Sequence, residues 1–271
     1  MNFHPESVRF EFGAATDSGR KRGTEPNQDT VEVVLPKTTR DWHPPLLLVA
    51  DGLGKYSGGA FASELVIQTF KQEFQLAQHP SDYPTLMENC LQAAHQAIRL
   101  NSAKNPELAY MGSTLVAITL EAKQLHLLNV GDSRAYLVRD KNILQISEDQ
   151  SWVASQVRAG VLTQDEARLH PGRNRLTMAI TAKRTEVVPY ISTLSLGPGD
   201  IVLLCSDGLW GVVPETLIRA AAMELPPPVA VEKLIALANG VGSPDNISVV
   251  IARQLDFPRR AMNVDPQDTA A

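Results

Sequence analysis

Leu46-Leu47-Leu48-Val49-Ala50-Asp51-Gly52-Leu53-Gly54 is the stretch from which the rest of the chain is read. Five apolar residues in succession predict a strand buried on both faces, because a half-exposed strand alternates apolar with polar positions. The strand is expected to stop on an acid, Asp51. Gly52 and Gly54 then permit tight turning and let a ligand come close to the backbone. A carboxylate beside a free carbonyl at the end of a rigid strand makes a good pair of hard-cation ligands. The same residues also suit an Asp-Gly turn that only joins two elements.

Outward from this strand, Val8, Phe10 and Phe12 alternate with Arg9, Glu11 and Gly13, predicting a first strand that ends near Ala15. A basic connection carrying Arg20, Lys21 and Arg22 leads to Asn27-Gln28-Asp29 and a strand over Val31 to Leu35. Helical spacing follows, with Ala62, Val66, Phe70 and Phe74 on one face, then Leu86, Cys90, Ala93, Ala97 and Leu100 on another. Strands are predicted over Ser113 to Leu120, Gln124 to Val130, Ser133 to Val138 and Ile143 to Ile146, joined by short polar turns as an antiparallel meander. The polar segment from Gln150 to Arg175 reads as a mobile flap with two short helical pieces. Strands at Glu186 to Ile191, Ile201 to Cys205 and Ile247 to Arg253 enclose helices near Pro214 to Ala222 and Val229 to Ala238. Pro226-Pro227-Pro228 precedes the second of these helices and is expected to lie outside it. Two helices after three strands is not the alternation of a parallel sheet. The chain therefore reads as one α+β domain in which helix pairs cover both faces of packed antiparallel sheets.

The 271 residues, 44% of them hydrophobic, allow one large core. A net charge of −5 argues against nucleic acid or an anionic membrane as partner. The start, Met1-Asn2-Phe3-His4-Pro5-Glu6, lacks the basic and apolar regions of a signal peptide. Runs such as Ile201 to Cys205 fall far short of the roughly 20 residues that span a bilayer. A soluble, cytoplasmic protein is expected. Cys90 and Cys205 read as small buried hydrophobes.

Asp29, Asp51, Asp132, Asp207 and Asp245 all fall at predicted strand ends beside small or turn-forming residues. Two carboxylates about 4 Å apart repel by about 4 kcal/mol at an effective dielectric near 20, so a cluster of them needs cations or protons. Oxygen ligands without His or thiolate favour Mg²⁺ or Mn²⁺ over Zn²⁺. Any one of these acids equally suits a turn or cap.

The blocks Asn27-Gln28-Asp29, Val49-Ala50-Asp51-Gly52-Leu53-Gly54, Met111-Gly112-Ser113-Thr114, Val130-Gly131-Asp132-Ser133-Arg134-Ala135-Tyr136, Ser206-Asp207-Gly208-Leu209 and Asp245-Asn246-Ile247-Ser248 occur in order. In this the chain resembles the metal-dependent protein phosphatases of the PPM (type 2C) family, bacterial type. The resemblance implies a four-layer αββα sandwich over residues 7–256, with 257–271 a short tail. It also implies two Mg²⁺ or Mn²⁺ ions, with a third possible, and hydrolysis of phosphoserine or phosphothreonine in proteins by a hydroxide held between the two ions. The implied metal ligands are Asp51, bridging both ions, the Gly52 carbonyl, Asp207 and Asp245, with Asp132 for a third ion. Asp29 and Asp51 would be the catalytic acids. Gly112, Ser113 and Thr114 are assigned to packing and to starting a strand. The implied partner is a phosphorylated protein, bound by a monomer with no nucleic acid and no membrane.

Several positions depart from the family pattern. Thr24 stands where an arginine often holds phosphate; Arg22 could substitute, as could Arg20 or Lys21, or the basic loop is simply solvated. Gln28 replaces a glutamate, Leu53 a histidine found in animal members, Lys55 a glycine, and Gln150 the histidine of an Asp-His pair. His170, in the flap, is expected to pack rather than act as an acid. The alternative these departures support is a catalytically weak phosphoprotein-binding or regulatory protein; a metal nuclease would want a basic, aromatic-studded face.

Overall fold

A computed structural model of the chain describes residues 10–36, 43–54, 58–78, 80, 82–121 and 123–255. The expected bounds at 7 and 256, the tail, Val8, Arg9 and Lys55 lie outside them. Strand β1 (Phe10–Asp17) leads through the basic loop to β2 (Asp29–Val34) and β3 (Leu46–Leu53). Helices α1 (Gly58–Leu76) and α2 (Tyr83–Lys104) follow. Next come β4 (Gly112–Ser113), β5 (Leu115–Glu121), β6 (Gln124–Val130), β7 (Arg134–Arg139) and β8 (Asn142–Gln145). Short helices α3 (Trp152–Arg158) and α4 (Gln164–Leu169) lie between β8 and β9 (Ile180–Thr181). After β10 (Tyr190–Ser195) and β11 (Ile201–Cys205) come α5 (Asp207–Trp210), α6 (Glu215–Glu224), α7 (Pro227–Val241) and β12 (Ile247–Gln254). No helix among the described residues is long and apolar enough to cross a membrane.

The described strands form two antiparallel sheets. One runs β1-β12-β11-β7-β8; the other runs β10-β6-β5-β3-β4-β9, with β2 also paired to β3. The apolar run of β3 shows why they stack. Leu46, Leu48 and Ala50 face α1 and α2, packing with Phe70, Phe74, Met87 and Leu91. Leu47 and Val49 face the other sheet, packing with Leu137, Val202, Leu204 and Val250. A third apolar layer sets Tyr136, Leu203 and Ile251 against Leu234 and Ile235 of α7. The order is thus helices, sheet, sheet, helices, the four-layer αββα sandwich, and a strand with two buried faces is what a central layer requires.

The structure differs from the sequence expectations at several elements. β3 runs three residues past Ala50, because Gly52 and Leu53 pair with Ser113 and Gly112. The strand predicted over Ser113 to Leu120 is interrupted at Thr114, whose N–H turns to the Asp51 carbonyl at 2.9 Å. The strand expected at Glu186 to Ile191 begins only at Tyr190, after Pro189, which has no N–H to give a ladder. Pro227 and Pro228 lie in the first turn of α7 rather than before it, where their missing N–H groups lose no helical bond. In α2 the buried stripe is rotated by about one position, to Tyr83, Met87, Cys90, Leu91, Ala94 and Ile98, leaving Leu100 outside. Both stripes have helical spacing, and the one with the larger side chains fills the space over β3. A matched pair of variants tests this. Leu91, fully buried, should cost about 2–5 kcal/mol in denaturant unfolding as Leu91→Ala, whereas Leu100→Ala, at a position 49% exposed, should change stability by no more than about 0.5 kcal/mol.

Candidate active site

Strand pairing does the first part of assembling the site. β2 and β3 pair so that Asp29 stands directly opposite Asp51, two carboxyl groups abreast at one end of the sheet. Like charges so placed repel, so neighbours must hold them. The Asp51 N–H donates to Thr114 Oγ1 at 3.0 Å, while its carbonyl accepts from the Thr114 N–H at 2.9 Å and from Ser113 Oγ at 3.1 Å. Thr114 Oγ1 lies 2.8 Å from Ser133 Oγ, which ties Asp51 to the β6–β7 loop that carries Asp132. Asp29 Oδ2 accepts from Ser206 Oγ at 2.7 Å, and Ser206 Oγ accepts in turn from the Ser248 N–H at 3.0 Å. The end of one sheet is thereby bolted to the end of the other.

The loops on the second sheet approach equally closely. Ser206, Asp207 and Gly208 follow β11, and a Cβ on Gly208 would stand 1.8 Å from the Asn246 carbonyl, a contact only glycine allows. Gly52 has the same constraint, since a Cβ there would meet the Gly59 carbonyl at 2.0 Å. Asn246 accepts from the Gln28 N–H at 2.9 Å and donates to the Ser18 carbonyl at 2.8 Å. Its own N–H donates to Asp245 Oδ1 at 2.9 Å. It therefore supports Asp245 while binding the β1–β2 loop. Arg22 of that loop donates to Asp245 and to Glu25, and is half-buried, whereas Arg20 and Lys21 are exposed.

The five acids lie close enough to sense one another's charge. Burial, then the charges of Asp29, Asp207, Asp132 and Asp245, hold the Asp51 carboxyl well above the usual carboxylate range. Asp207 is raised likewise, by burial and then Asp132, Asp245 and Asp29, with Arg173 acting in the opposite direction. Asp29 is pushed up to about 6 by burial, against the hydrogen bonds from Ser206 and Ser248. Asp132 is pushed up to about 7 by burial and Asp149, against Arg134. Raised carboxyl groups gathered in this way are the arrangement in which cations or protons offset like charge.

Among the described residues, no group of three or more His, Cys, Asp or Glu side chains is arranged so that it could hold a metal ion as it stands. The donor chemistry nonetheless fits a hard cation. Asp207 Oδ1 is buried and has no hydrogen-bond partner, and the acids that sense it present only oxygen. Both cysteines are buried in apolar surroundings that push their thiols up, Cys90 to about 12, and neither offers a thiolate.

Several residues take supporting roles that the sequence did not assign to them. Arg134 holds Asp149 through Nε and Nη2, the latter at 2.7 Å, and its guanidinium lies 3.6 Å over the Trp210 ring. Trp210 Nε1 donates to the Asp132 carbonyl at 3.0 Å. Gln150 accepts from the Gly131 N–H at 3.0 Å and donates to the Val188 carbonyl at 3.0 Å, gripping the same loop from the other side. Ser113 and Thr114, assigned to packing, instead fix the Asp51 backbone. A polar residue at a strand break was the only signal available for them. His170 packs as expected, with its ring 4.9 Å from Trp152. A cavity of about 690 Å³ opens from Asp132, Asp207 and Asp245 toward α3, α4 and the start of α6.

Residues 17–227 match the family model described as Protein phosphatase 2C. The serine/threonine protein phosphatase PstP of Mycobacterium tuberculosis is 37% identical over 220 residues, which cover 78% of this chain and 41% of PstP. The chain thus spans less than half the length of that relative. The serine/threonine phosphatase stp of Listeria monocytogenes is 31% identical over 244 residues, 88% of this chain and 94% of that protein. The structure of the catalytic domain of PstP in complex with two manganese ions superposes with a TM-score of 0.81 at 31% identity, covering 92% of this chain and all of that one. A family match over most of the chain, a shared sandwich and acids gathered at one sheet edge together establish that this chain belongs to the protein phosphatase 2C family.

Proposed function

We propose that the protein, through a phosphatase domain over residues 7–256, hydrolyses phosphoserine and phosphothreonine in phosphorylated proteins with two Mg²⁺ or Mn²⁺ ions, opposing protein kinases as a cytoplasmic monomer. The observation that carries this reading is the buried, unpartnered Asp207 oxygen beside the facing pair Asp29 and Asp51, with the Asp51 and Asp207 carboxyls both raised by burial and by the charges of the other site acids. Asp51 would be shared by both ions, the Gly52 carbonyl would complete one set, and Asp207 and Asp245 the other, with Asp132 beside Asp207 for a weaker third. When bound, such ions supply positive charge to the transferring phosphoryl group and an acidified water as nucleophile.

The remaining steps belong to the chain's own side chains. Asp29, held by Ser206 and facing Asp51, orients the attacking water from the buried side. Arg22 is the cation nearest the acids from the β1–β2 loop and is the residue proposed to hold substrate phosphate. Leu53 has no proton to give, so the leaving serine or threonine oxygen takes its proton from solvent. Gln28, buried against Gly59, adds no charge to the site.

With Mn²⁺, the wild-type protein should hydrolyse a phosphothreonine peptide. Asp207→Asn should lower kcat by at least about 10²-fold while leaving the far-ultraviolet circular dichroism unchanged. Phosphopeptide binding by wild type without turnover would replace this reading with the binding-protein alternative. Arg22→Ala should raise KM about tenfold with a smaller effect on kcat, and an unchanged KM would remove Arg22 from the phosphate site.

Metal and pH are linked through the raised acids. The unfolded chain releases these protons near the ordinary Asp value of 3.8, the folded chain only near 6 for Asp29 and near 7 for Asp132. Protons therefore favour the metal-free fold, and its stability falls as pH rises through that window. Metal-stripped protein should melt at a lower temperature at about pH 7.5 than at about pH 5, and Mn²⁺ should raise the melting temperature more at the higher pH. A melting temperature that rises with pH in the stripped protein would contradict this.

A further inference from the structure

The acids form one end of the cavity rather than its whole extent. Beyond them it continues along α3 and α4, where Val153, Val157 and Ala167 line it together with Val212 and Pro214. Its cations fall into two groups. Arg134 is engaged by Asp149 at 2.7 Å, and Arg158 lies 3.5 Å from Glu148. Arg168 on α4 and Arg173 in the turn after it are exposed, line the cavity, and have no acid side chain within ion-pair distance among the described residues.

Both are aimed by local structure. Arg168 Nη2 reaches the Trp210 carbonyl at 3.5 Å, which brings the guanidinium toward α5 and the residues next to Asp207. The turn carrying Arg173 is closed locally: the Gly172 N–H donates to His170 Nδ1 at 2.9 Å and the Arg173 N–H to the His170 carbonyl at 3.0 Å, with the His170 ring tilted against Trp152 at 4.9 Å. Arg173 and Asp207 line the same cavity. An extended peptide advances about 3.3 Å per residue, so a chain whose phosphate lies on the acids presents its neighbouring side chains to this wall.

We propose that Arg168 and Arg173 form a carboxylate-reading subsite of this cavity, so that the preferred substrates are phosphopeptides with Asp or Glu within a few residues of the phosphorylated position. The inference rests on the phosphatase reading above. A guanidinium fork matches a carboxylate with two parallel hydrogen bonds, and because both arginines are exposed, that attraction is screened by salt. On the α6 side Arg134 is engaged by Asp149 and lies 3.9 Å from Glu215, so among the described residues the unpaired cations that line the cavity are on the α3–α4 side.

The test uses phosphothreonine peptides identical except for Glu or Lys at flanking positions, assayed with Mn²⁺ and the full chain. Wild type should favour the Glu peptides in kcat/KM by about fivefold at low salt, with the ratio shrinking as salt is added. Arg168→Glu/Arg173→Glu should invert the ratio, and Arg168→Ala/Arg173→Ala should bring it to about one. Because each value is a ratio within one protein, a partial loss of folded enzyme does not alter it. A wild-type ratio of about one, or a ratio that survives charge reversal, overturns the subsite while leaving the phosphatase reading standing. Failure of wild type to hydrolyse either peptide or p-nitrophenyl phosphate with Mn²⁺ overturns the phosphatase reading itself.

Discussion

Five carboxyl groups converge at one edge of a two-sheet sandwich, and their mutual repulsion is the constraint around which the rest of the structure is arranged. Burial and like charge raise Asp51 and Asp207 far from the ordinary carboxylate range, which means the fold holds them where isolated acids would avoid one another. A cluster of this kind survives because its backbone is clamped. Thr114 and Ser113 hold Asp51, Ser206 holds Asp29, Asn246 holds the loop behind Asp245, and Trp210 holds Asp132. Each clamp comes from a different element, so the stored repulsion is shared among many contacts.

The sandwich is well suited to that task. Its two sheets are packed face to face through Leu47, Val49, Val202, Leu204 and Val250, which leaves the strand ends of both at a common rim. Helices on the outer faces make those strands rigid without covering the rim. Close approach of the loops at Gly52–Gly59 and Gly208–Asn246 brings backbone atoms within reach of the acids, and an added Cβ at Gly52 or Gly208 would push those loops apart. Stability and function meet at these glycines, because the close contacts at Gly52 and Gly208 lie beside Asp51, Asp207 and Asp245.

The segment from β8 to β9 walls the cavity beside the rim. Its base is tied to the Asp132 loop through Gln150 and through Arg134 and Asp149, so the wall of the cavity and the acid cluster share supports. A substrate lying in the cavity touches a surface continuous with the residues that would bind the ions. The Arg134 guanidinium over Trp210 is buried beside both, and its bidentate pairing with Asp149 keeps a strong charge from competing with the site.

The apolar run Leu46–Ala50, the period-2 alternation of β1 and the helical spacing of α1 were legible in the linear order, because each reflects a periodicity that local geometry imposes. The acids were also legible as candidates, since Asp beside Gly at the end of an apolar run is conspicuous. Which face of α2 is buried was not, because two stripes fit the helical period and only the volume above β3 chooses between them. Nor were the roles of Thr114, Ser206, Arg134 and Trp210, whose partners at the site lie from 15 to 177 residues away in sequence. By itself the sequence determined most of the elements and the layering of helices over packed sheets, set by residue type and period, and marked the acids as candidates. Only the tertiary structure decided which polar groups hold those acids against their repulsion, because hydrogen bonds and charge act through space and the chain order carries no record of distance.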